Sequence, residues 1–207
     1  TGYRKRDVYG IGVQMRPEMT LQLLRSRAVA VVETMAASVR LNLERHGVDI
    51  IRGRARLSGP TTVSVETEQG GRDVAAKAIL IATGSRPFHP LGIPFDDPDV
   101  HDSQTILSID RPFGSLVVVG TGAVGSEYAS IMRALGIEVT MIEGGPRILG
   151  IADAEISAAL AHSLEQAGIE IRTNTHTESI AREDGRLTVT LRGGEKLHPD
   201  KVLFAEG

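Results

Sequence analysis

Three features of this 207-residue sequence predict an α/β fold with a parallel sheet. Strand-like and helix-like segments alternate from residue 115 to residue 172, which is typical of parallel strands joined by helices. A G-x-G-x-x-G segment lies between the first strand and the first helix of that series. Four prolines between Pro87 and Pro98 favour neither a helix nor a central strand there. We therefore divide the chain into domains of residues 1–90 and 91–207.

Composition excludes several functional classes. The formal net charge of -3 provides no broad positive field, so nucleic acid is not an expected partner. The sequence has no cysteine, which excludes a disulfide framework, a thiolate metal site and a thiol nucleophile within these residues. Its apolar runs are shorter than the roughly 18 residues of a membrane span, and no signal peptide is indicated. We expect a cytoplasmic protein, and the start at Thr1 and the apolar end "VLFAEG" suggest a fragment.

The first domain opens with a predicted helix. From Pro17 to His46, apolar residues recur every three or four positions, as on one face of an amphipathic helix. Pro17 suits the first turn, and Gly47 can adopt the left-handed conformation that ends a helix. We expect the apolar face of this helix to be packed.

Short β-like runs follow the helix. The segments "VDII", "ARL" and "TTVSVETE" predict a small meander with a turn at Gly70-Gly71. The apolar run "AILIAT" at residues 78–83 predicts a buried strand. These strands and the helix make up the predicted first domain.

The second domain contains the α/β alternation. In order, its segments are the strand "SLVVV", a helix over 123–135, the strand "EVTMI", a helix over 153–167 and the strand "IEIR". Asp153 is placed to cap the second helix and Gly168 to end it. Asp184-Gly185 predicts a hairpin within residues 177–192, and "KVLFA" predicts a final strand.

The glycine-rich segment predicts a dinucleotide-binding turn. Gly120 permits a tight turn, Gly122 leaves room for a pyrophosphate beside the backbone amides, and Gly125 lets helix and strand pack closely. The free amides and the positive end of the helix dipole would bind the phosphates. Glu143 ends the next strand 23 residues after Gly120 and would accept hydrogen bonds from an adenosine ribose. This context predicts a Rossmann-like domain, the alternative being a tight turn without a ligand.

Two segments carry a resemblance to a known family. With "ATGSRP" at 82–87 and "GTGAVGSE" at 120–127, the chain resembles the FAD-dependent pyridine nucleotide-disulfide oxidoreductases. Within the family, "RPFHP", "DSQTILS", "EYASI" and "DAEISAAL" are most similar to the soluble pyridine nucleotide transhydrogenases, which pass hydride between NADPH and NAD through FAD. The resemblance implies a partial FAD-binding domain with a long helix over 1–90 and a Rossmann-like NAD(P)-binding domain with a parallel sheet and a β-meander over 91–207.

The resemblance also implies cofactor contacts at particular positions. For the nicotinamide cofactor they are Gly120, Thr121, Gly122, Ala123, Val124, Gly125, Glu127, Glu143, Arg147, Thr177 and Gly207. For FAD they are Arg54, Ala55, Thr83 and Gly84. Glu127 would lie beside the nicotinamide carboxamide, although a solvated helix carboxylate is the alternative. No side chain is assigned an acid, base or metal-binding role.

Cofactor choice follows from Glu143. Its carboxylate would accept a hydrogen bond from the ribose hydroxyl of NAD and would repel the 2′-phosphate of NADP. We expect NAD to bind better, with Arg147 a secondary candidate that could offset the repulsion. A transhydrogenase, by contrast, has to accept both NAD and NADP.

Three functional interpretations remain. The first is a fragment, inactive by itself, of a homodimeric flavoprotein that transfers hydride between NAD(P)H and FAD, as in the transhydrogenases. The second is a lipoamide dehydrogenase or another disulfide or metal-ion reductase of the same family, and the third is a non-catalytic nucleotide-binding module. The cluster "FDDPDVHD" at 95–102 is interpreted as a solvated acidic loop rather than a metal site, with Asp102 or Ser103 capping a short helix.

Overall fold

The computed structural model describes the backbone of residues 17–206 and the side chains of residue 23 and residues 25–206. It divides into two compact units, which we call the N-terminal unit, Ser26–Ser85, and the C-terminal unit, Arg86–Gly207, with which the residues before Ser26 are grouped. Each is described by itself. The assignment of residues 1–90 and 91–207 to separate cofactors stays a prediction. None of the helices within the described residues is long and apolar enough to cross a membrane.

A long helix, α1, runs over Pro17–Arg45. It ends as predicted, because Gly47 follows in the left-handed region with φ +68°. The packed apolar face is not observed: Val32 is 65% exposed and Met35 is 64% exposed. Helical periodicity predicts which residues share a face, but burial needs a second element against that face, and the expectation of packing was wrong.

The N-terminal unit also contains a three-stranded antiparallel meander. Its strands are β1 Arg54–Gly59, β2 Thr62–Thr67 and β3 Gly70–Ala75, in the order β1-β2-β3. The meander was predicted, but its second turn lies at residues 68–69, and Gly70 is already paired with Thr67. Gly70 has φ +120°, so the glycine supplies the unusual backbone angle beside the turn.

Two predicted strands of this unit are absent. Neither "VDII" nor "AILIAT" is assigned to a strand, and Leu80 of the second segment is 90% exposed. Apolar runs of this length indicate strands only when neighbours complete the hydrogen-bonded ladder on either side. The described residues place no strand beside residues 78–83, so they remain outside a sheet.

A five-stranded parallel sheet forms the centre of the C-terminal unit. Its strands are β4 Val100–His101, β5 Ser115–Val119, β6 Glu138–Ile142, β7 Glu170–Arg172 and β11 Lys201–Phe204. Their order across the sheet is β4-β11-β5-β6-β7, and every neighbouring pair is parallel. The predicted strands "SLVVV", "EVTMI", "IEIR" and "KVLFA" are all present.

Two helices connect consecutive strands of this sheet. They are α2 Ala123–Ala134, between β5 and β6, and α3 Ala154–Gln166, between β6 and β7. Asp153 caps α3 as predicted, since its side chain accepts a hydrogen bond from the Glu155 amide. Gly168 follows α3 with φ +84°, which ends that helix as predicted.

A three-stranded antiparallel sheet completes the unit. It consists of β8 Thr177–Glu183, β9 Arg186–Leu191 and β10 Lys196–Leu197, in the order β10-β9-β8. Asp184 and Gly185 both have positive φ values, +48° and +79°, which suit a type I′ turn between β8 and β9. The hairpin prediction is confirmed.

The central sheet is buried on both faces. On β5, Leu116 and Val118 pack with residues of α2 and α3, while Val117 and Val119 pack with residues of β8 and β9. Successive side chains of a strand point to opposite faces, so a strand covered on both sides is apolar throughout. This explains why "SLVVV" is a continuous apolar run rather than an alternating one.

The acidic segment before β4 is held by ion pairs rather than solvated. Asp97 and Asp99 both bind Arg182 at 2.8 Å, and the Nζ of Lys201 donates to Asp99 at 2.7 Å. Hydrogen bonds from Arg182 lower the pKa of Asp97 against the opposing effect of its burial. The solvated-loop interpretation was therefore wrong. Within the described residues, no cluster of His, Asp and Glu is arranged to hold a metal ion.

A short 3-10 helix, Thr105–Ser108, has Gln104 rather than the predicted Asp102 or Ser103 at its N-cap position, but the Asp102 side chain binds the amides at its start. The Asp102 Oδ1 accepts from the amides of Gln104 at 2.8 Å and Thr105 at 2.7 Å, and its Oδ2 pairs with His89 Nε2 at 2.8 Å. Burial by itself would raise the pKa of this carboxyl group. The hydrogen bonds outweigh burial and lower the pKa of Asp102 to about 2.

Candidate dinucleotide site

The candidate site begins where β5 turns into α2. Gly120 has φ +94°, and a Cβ there would lie 2.6 Å from the amide nitrogen of Glu206. A Cβ on Gly125 would overlap the carbonyl oxygen of Gly120 and lie 3.3 Å from a methyl group of Val118. These two glycines therefore allow the turn and the close packing of α2 on β5.

Gly122 differs from its two neighbouring motif glycines. Its φ of -63° suits any residue, and a Cβ at this position would meet nothing within 4 Å. Gly122 is the N-cap of α2, and no side chain caps the helix there. The first amides of a helix lack intrahelical acceptors, so the N-terminus of α2 faces open space with donors and a positive dipole end. A pyrophosphate fits this geometry.

Glu143 lies at the C-terminal end of β6, directly beside the glycine loop. Its Oε2 accepts a hydrogen bond from the hydroxyl of Thr121, and its Oε1 accepts from the Gly145 amide at 2.7 Å. The backbone is held as well: the Glu143 amide donates to Arg172 at 2.9 Å, and its carbonyl accepts from Thr175 at 2.8 Å. The structure thus brings Thr121 and Glu143, two predicted site residues, into contact.

Two groups that sequence reasoning missed lie around this pair. Glu206 follows β11, and its Cγ would be 2.8 Å from a Cβ on Gly120. Burial raises the pKa of the Glu206 carboxyl group, the charge of Glu143 raises it further, and His176 opposes both. The ring of His176 also lies against Gly144, where a Cβ would be 2.7 Å from its Cε1. No motif marks either residue, because strand order alone brings them here.

The remaining nicotinamide candidates are placed less closely together. Ala123 and Val124 form the exposed first turn of α2, and Glu127 is exposed further along the same helix. Arg147 is exposed and donates to the carbonyl oxygen of Gly150 at 3.0 Å. Arg147 is thus held by its own loop.

Thr177 is half-buried at the start of β8. Its hydroxyl oxygen is buried and has no hydrogen-bond partner among the described residues. A buried hydroxyl group without a partner is uncommon in proteins. Gly207 lies outside the described residues.

The four FAD candidates lie in the N-terminal unit. Arg54 and Ala55 are exposed on β1, opposite Glu66 and Val65 of β2. Thr83 and Gly84 are exposed in the segment after the meander, where Gly84 has φ +74°. Exposure leaves all four accessible, and their contact with FAD stays a prediction.

The parallel sheet, the glycine turn and the acidic residue on the adjacent strand define a dinucleotide-binding fold of the Rossmann class. The family profile described as pyridine nucleotide-disulphide oxidoreductase matches residues 7–207. This chain belongs to the pyridine nucleotide-disulphide oxidoreductase family. The family and the fold class predicted from the sequence are confirmed.

Comparison with individual proteins agrees with this assignment. The soluble pyridine nucleotide transhydrogenase of Colwellia psychrerythraea is 34% identical over 206 residues, which cover 99% of this chain and 44% of that protein. The chain therefore spans less than half the length of this relative.

Solved structures share the same fold. The HOCl-induced flavoprotein disulfide reductase RclA from Escherichia coli is 27% identical, with a TM-score of 0.74 over 88% of this chain and 42% of that chain. The structure of LpdA from Mycobacterium tuberculosis has a TM-score of 0.80 over 98% of this chain and 45% of that chain. At 22% sequence identity, this structural similarity is evidence for the fold alone.

Proposed function

We propose that the C-terminal unit binds a nicotinamide dinucleotide at the glycine loop. The pyrophosphate would lie over Gly122 at the N-terminus of α2, and the adenosine ribose would donate to Glu143. The open space over Gly122 carries this proposal, because neither the backbone conformation nor the protein around this position requires a glycine. A side chain there would instead occupy the space in which backbone amides meet a phosphate.

The site favours NAD over NADP in this proposal. Glu143 is bound by Thr121 and Gly145, and the carboxylate is directed at the glycine loop. A 2′-phosphate beside it adds negative charge and lacks the donor that a ribose hydroxyl supplies. Glu206 adds a second acidic group to the same region, and Arg147 is engaged by the Gly150 carbonyl.

The whole protein is, in our proposal, a flavoprotein oxidoreductase, with soluble pyridine nucleotide transhydrogenation as its activity. This activity requires NADP to bind as well, at the weaker affinity that the Glu143 carboxylate leaves it. FAD would supply the redox chemistry, by accepting hydride from a reduced nicotinamide nucleotide and passing it to an oxidised one. This chain contributes binding and orientation: the glycine loop holds the phosphates, and Glu143 sets the adenosine end. As the resemblance implies, the nicotinamide cofactor would also contact Glu127, Thr177 and Gly207. FAD would contact the candidates at 54–55 and 83–84. A homodimer and a cytoplasmic location stay predictions.

A disulfide reductase of the same family is the second candidate. It is favoured by the similarity to the flavoprotein disulfide reductase RclA. The 207 residues contain no cysteine, so a redox-active pair would have to lie elsewhere in the whole protein. The upstream sequence discriminates between the candidates, since a closely spaced cysteine pair there favours the reductase.

Nucleotide binding is tested by placing a carboxylate at Gly122. In Gly122→Asp, the new side chain is sterically tolerated, can cap α2 and repels a pyrophosphate. We expect calorimetric titration of the 207-residue chain with NADH to show binding that weakens about tenfold or more in this variant. The matched control is Gly71→Asp, where a Cβ also meets nothing within 4 Å. No NADH binding by the wild type, or equal binding by both variants, contradicts the proposal.

A further inference from the structure

We propose that Thr121 is a positioning residue that orients the Glu143 carboxylate toward the adenosine ribose and thereby sharpens discrimination against a 2′-phosphate. The inference rests on the proposed dinucleotide function and deepens it. From the sequence, Thr121 is a candidate cofactor contact between the first two motif glycines, but the motif gives no role to its side chain. The contact between its hydroxyl and Glu143 is formed by residues 22 positions apart in the chain.

Thr121 is held rigidly although it belongs to a loop. It is 1% exposed, and its carbonyl oxygen accepts from the Leu149 amide at 3.0 Å and from the Ser126 hydroxyl at 3.2 Å. A threonine hydroxyl has one proton to donate, and here that proton goes to Glu143 Oε2. The backbone hydrogen bonds therefore fix the position of the hydroxyl group that donates to Glu143.

The acceptor capacity of Glu143 matches its proposed ligand. An ionised carboxylate offers about four lone-pair sites. Thr121 takes one on Oε2 and the Gly145 amide takes one on Oε1, so one site remains on each oxygen. Two remaining sites correspond to the two hydroxyl groups of a ribose.

Loss of the Thr121 hydroxyl would release one end of this carboxylate. Only the Gly145 amide would then hold the carboxylate, so Oε2 would leave the ribose position and the hydrogen bond from Gly145 to Oε1 would open more often. Ordering the side chain on ligand binding then carries an entropic cost that the wild type does not bear. Nearby Glu206 would add repulsion favouring such a displacement, as its electrostatic interaction with Glu143 indicates.

The variants Thr121→Val and Thr121→Ser test the role of the hydroxyl. Valine keeps the shape and removes the donor, whereas serine keeps the donor. Calorimetric titration with NAD, NADP and the 2′-deoxyadenosine analogue of NAD separates positioning from a general structural effect. We expect Thr121→Val to reduce two affinity ratios by about three- to tenfold: that of NAD to NADP, and that of NAD to its 2′-deoxyadenosine analogue. In Thr121→Ser, both ratios should stay within about twofold of the wild-type values.

Two further measurements make the result decisive. In a Glu143→Gln background, Thr121→Val should change the affinity ratio less than twofold, since the two residues act through one contact. In the ligand-free chain, amide exchange of Gly145 measured by NMR should accelerate about fivefold in Thr121→Val and remain at the wild-type rate in Thr121→Ser. Absence of NAD binding together with this exchange pattern overturns the proposed function alone. An equal loss of affinity for all three nucleotides, or unchanged Gly145 exchange, overturns the positioning role.

Discussion

Lys201 and Asp99 form an ion pair whose Nζ and Oδ1 atoms lie 2.7 Å apart, although only 4% of the Lys201 side chain is exposed. The pair joins β11 to the segment that precedes β4. Arg182 and Arg111 approach the same aspartate from outside, at 2.8 Å and 3.5 Å. A buried charge with several partners makes this corner of the C-terminal unit sensitive to the loss of a single carboxylate.

Asp99→Asn should destabilise the protein by about 3 kcal/mol, because it leaves the Lys201 ammonium group buried without its counter-charge. Urea unfolding followed by circular dichroism measures this difference. The exposed pair of Lys196 and Glu183, also 2.7 Å apart, provides the matched control. Glu183→Gln should cost less than about 1 kcal/mol. Similar losses in the two variants would contradict a special role for Asp99.

Stability should depend on Asp102 at acidic pH. Its folded-state pKa of about 2 lies below the ordinary value of 3.8, so the unfolded chain binds the proton more tightly. The contribution is present above about pH 4 and is lost as the pH falls towards 2, amounting to about 2 kcal/mol.

Chemical denaturation at a series of pH values from 6 to 2 tests this dependence, with Asp102→Asn as the comparison. The asparagine keeps an oxygen for the amides of Gln104 and Thr105 but has no charge to titrate. Its stability should therefore fall less steeply over this range. Parallel profiles for the wild type and the variant would exclude Asp102 as the source.

The motif glycines should differ in their tolerance of a methyl group. Gly125→Ala would press a Cβ into the Gly120 carbonyl group and should cost about 2 kcal/mol or more. Gly122→Ala meets open space and should cost only about 0.5 kcal/mol, the difference between glycine and alanine at an N-cap. Melting temperatures from differential scanning fluorimetry decide the order, and a more destabilising change at position 122 would refute it.

Glu143 should determine nucleotide selectivity. We expect the wild-type chain to prefer NAD over NADP by one to two orders of magnitude, or about 1.4 to 2.8 kcal/mol, and Glu143→Gln to narrow this gap. Titration calorimetry with both nucleotides provides the measurement. Glu138→Gln removes an exposed carboxylate from the opposite end of β6 and serves as the control. Equal affinities in the wild type would remove Glu143 from the selectivity role.

The N-terminal unit should be the less stable part of the chain. Its side chains include many exposed apolar groups, such as Met35 and Leu80, whereas the C-terminal unit has a core on both faces of its sheet. Amides of residues 26–85 should therefore exchange with deuterium faster than those of β5, β6 and β11. Equal protection of the two sets in mass-spectrometric exchange experiments would count against this expectation.

Much of the C-terminal unit follows from sequence patterns. The alternation over residues 115–172 predicted β5, α2, β6, α3 and β7, and Asp184-Gly185 predicted the hairpin turn. Such signals are local, because helix caps, turn residues and apolar periodicity act over a few positions. The glycine motif and Glu143 were also identified from their spacing and from the strands and helix around them, and their role in cofactor binding stays a prediction.

Tertiary structure decided the features that depend on distant neighbours. The apolar patterns of α1 and of residues 78–83 predicted burial, but burial requires a covering element, and Leu80 remains exposed. The acidic segment acquired partners because Lys201 lies beside it, 102 positions further along the chain. Glu206 and the Thr121 hydroxyl joined Glu143 for the same reason: parallel strand order places the ends of β5, β6 and β11 together, a proximity that no local pattern encodes.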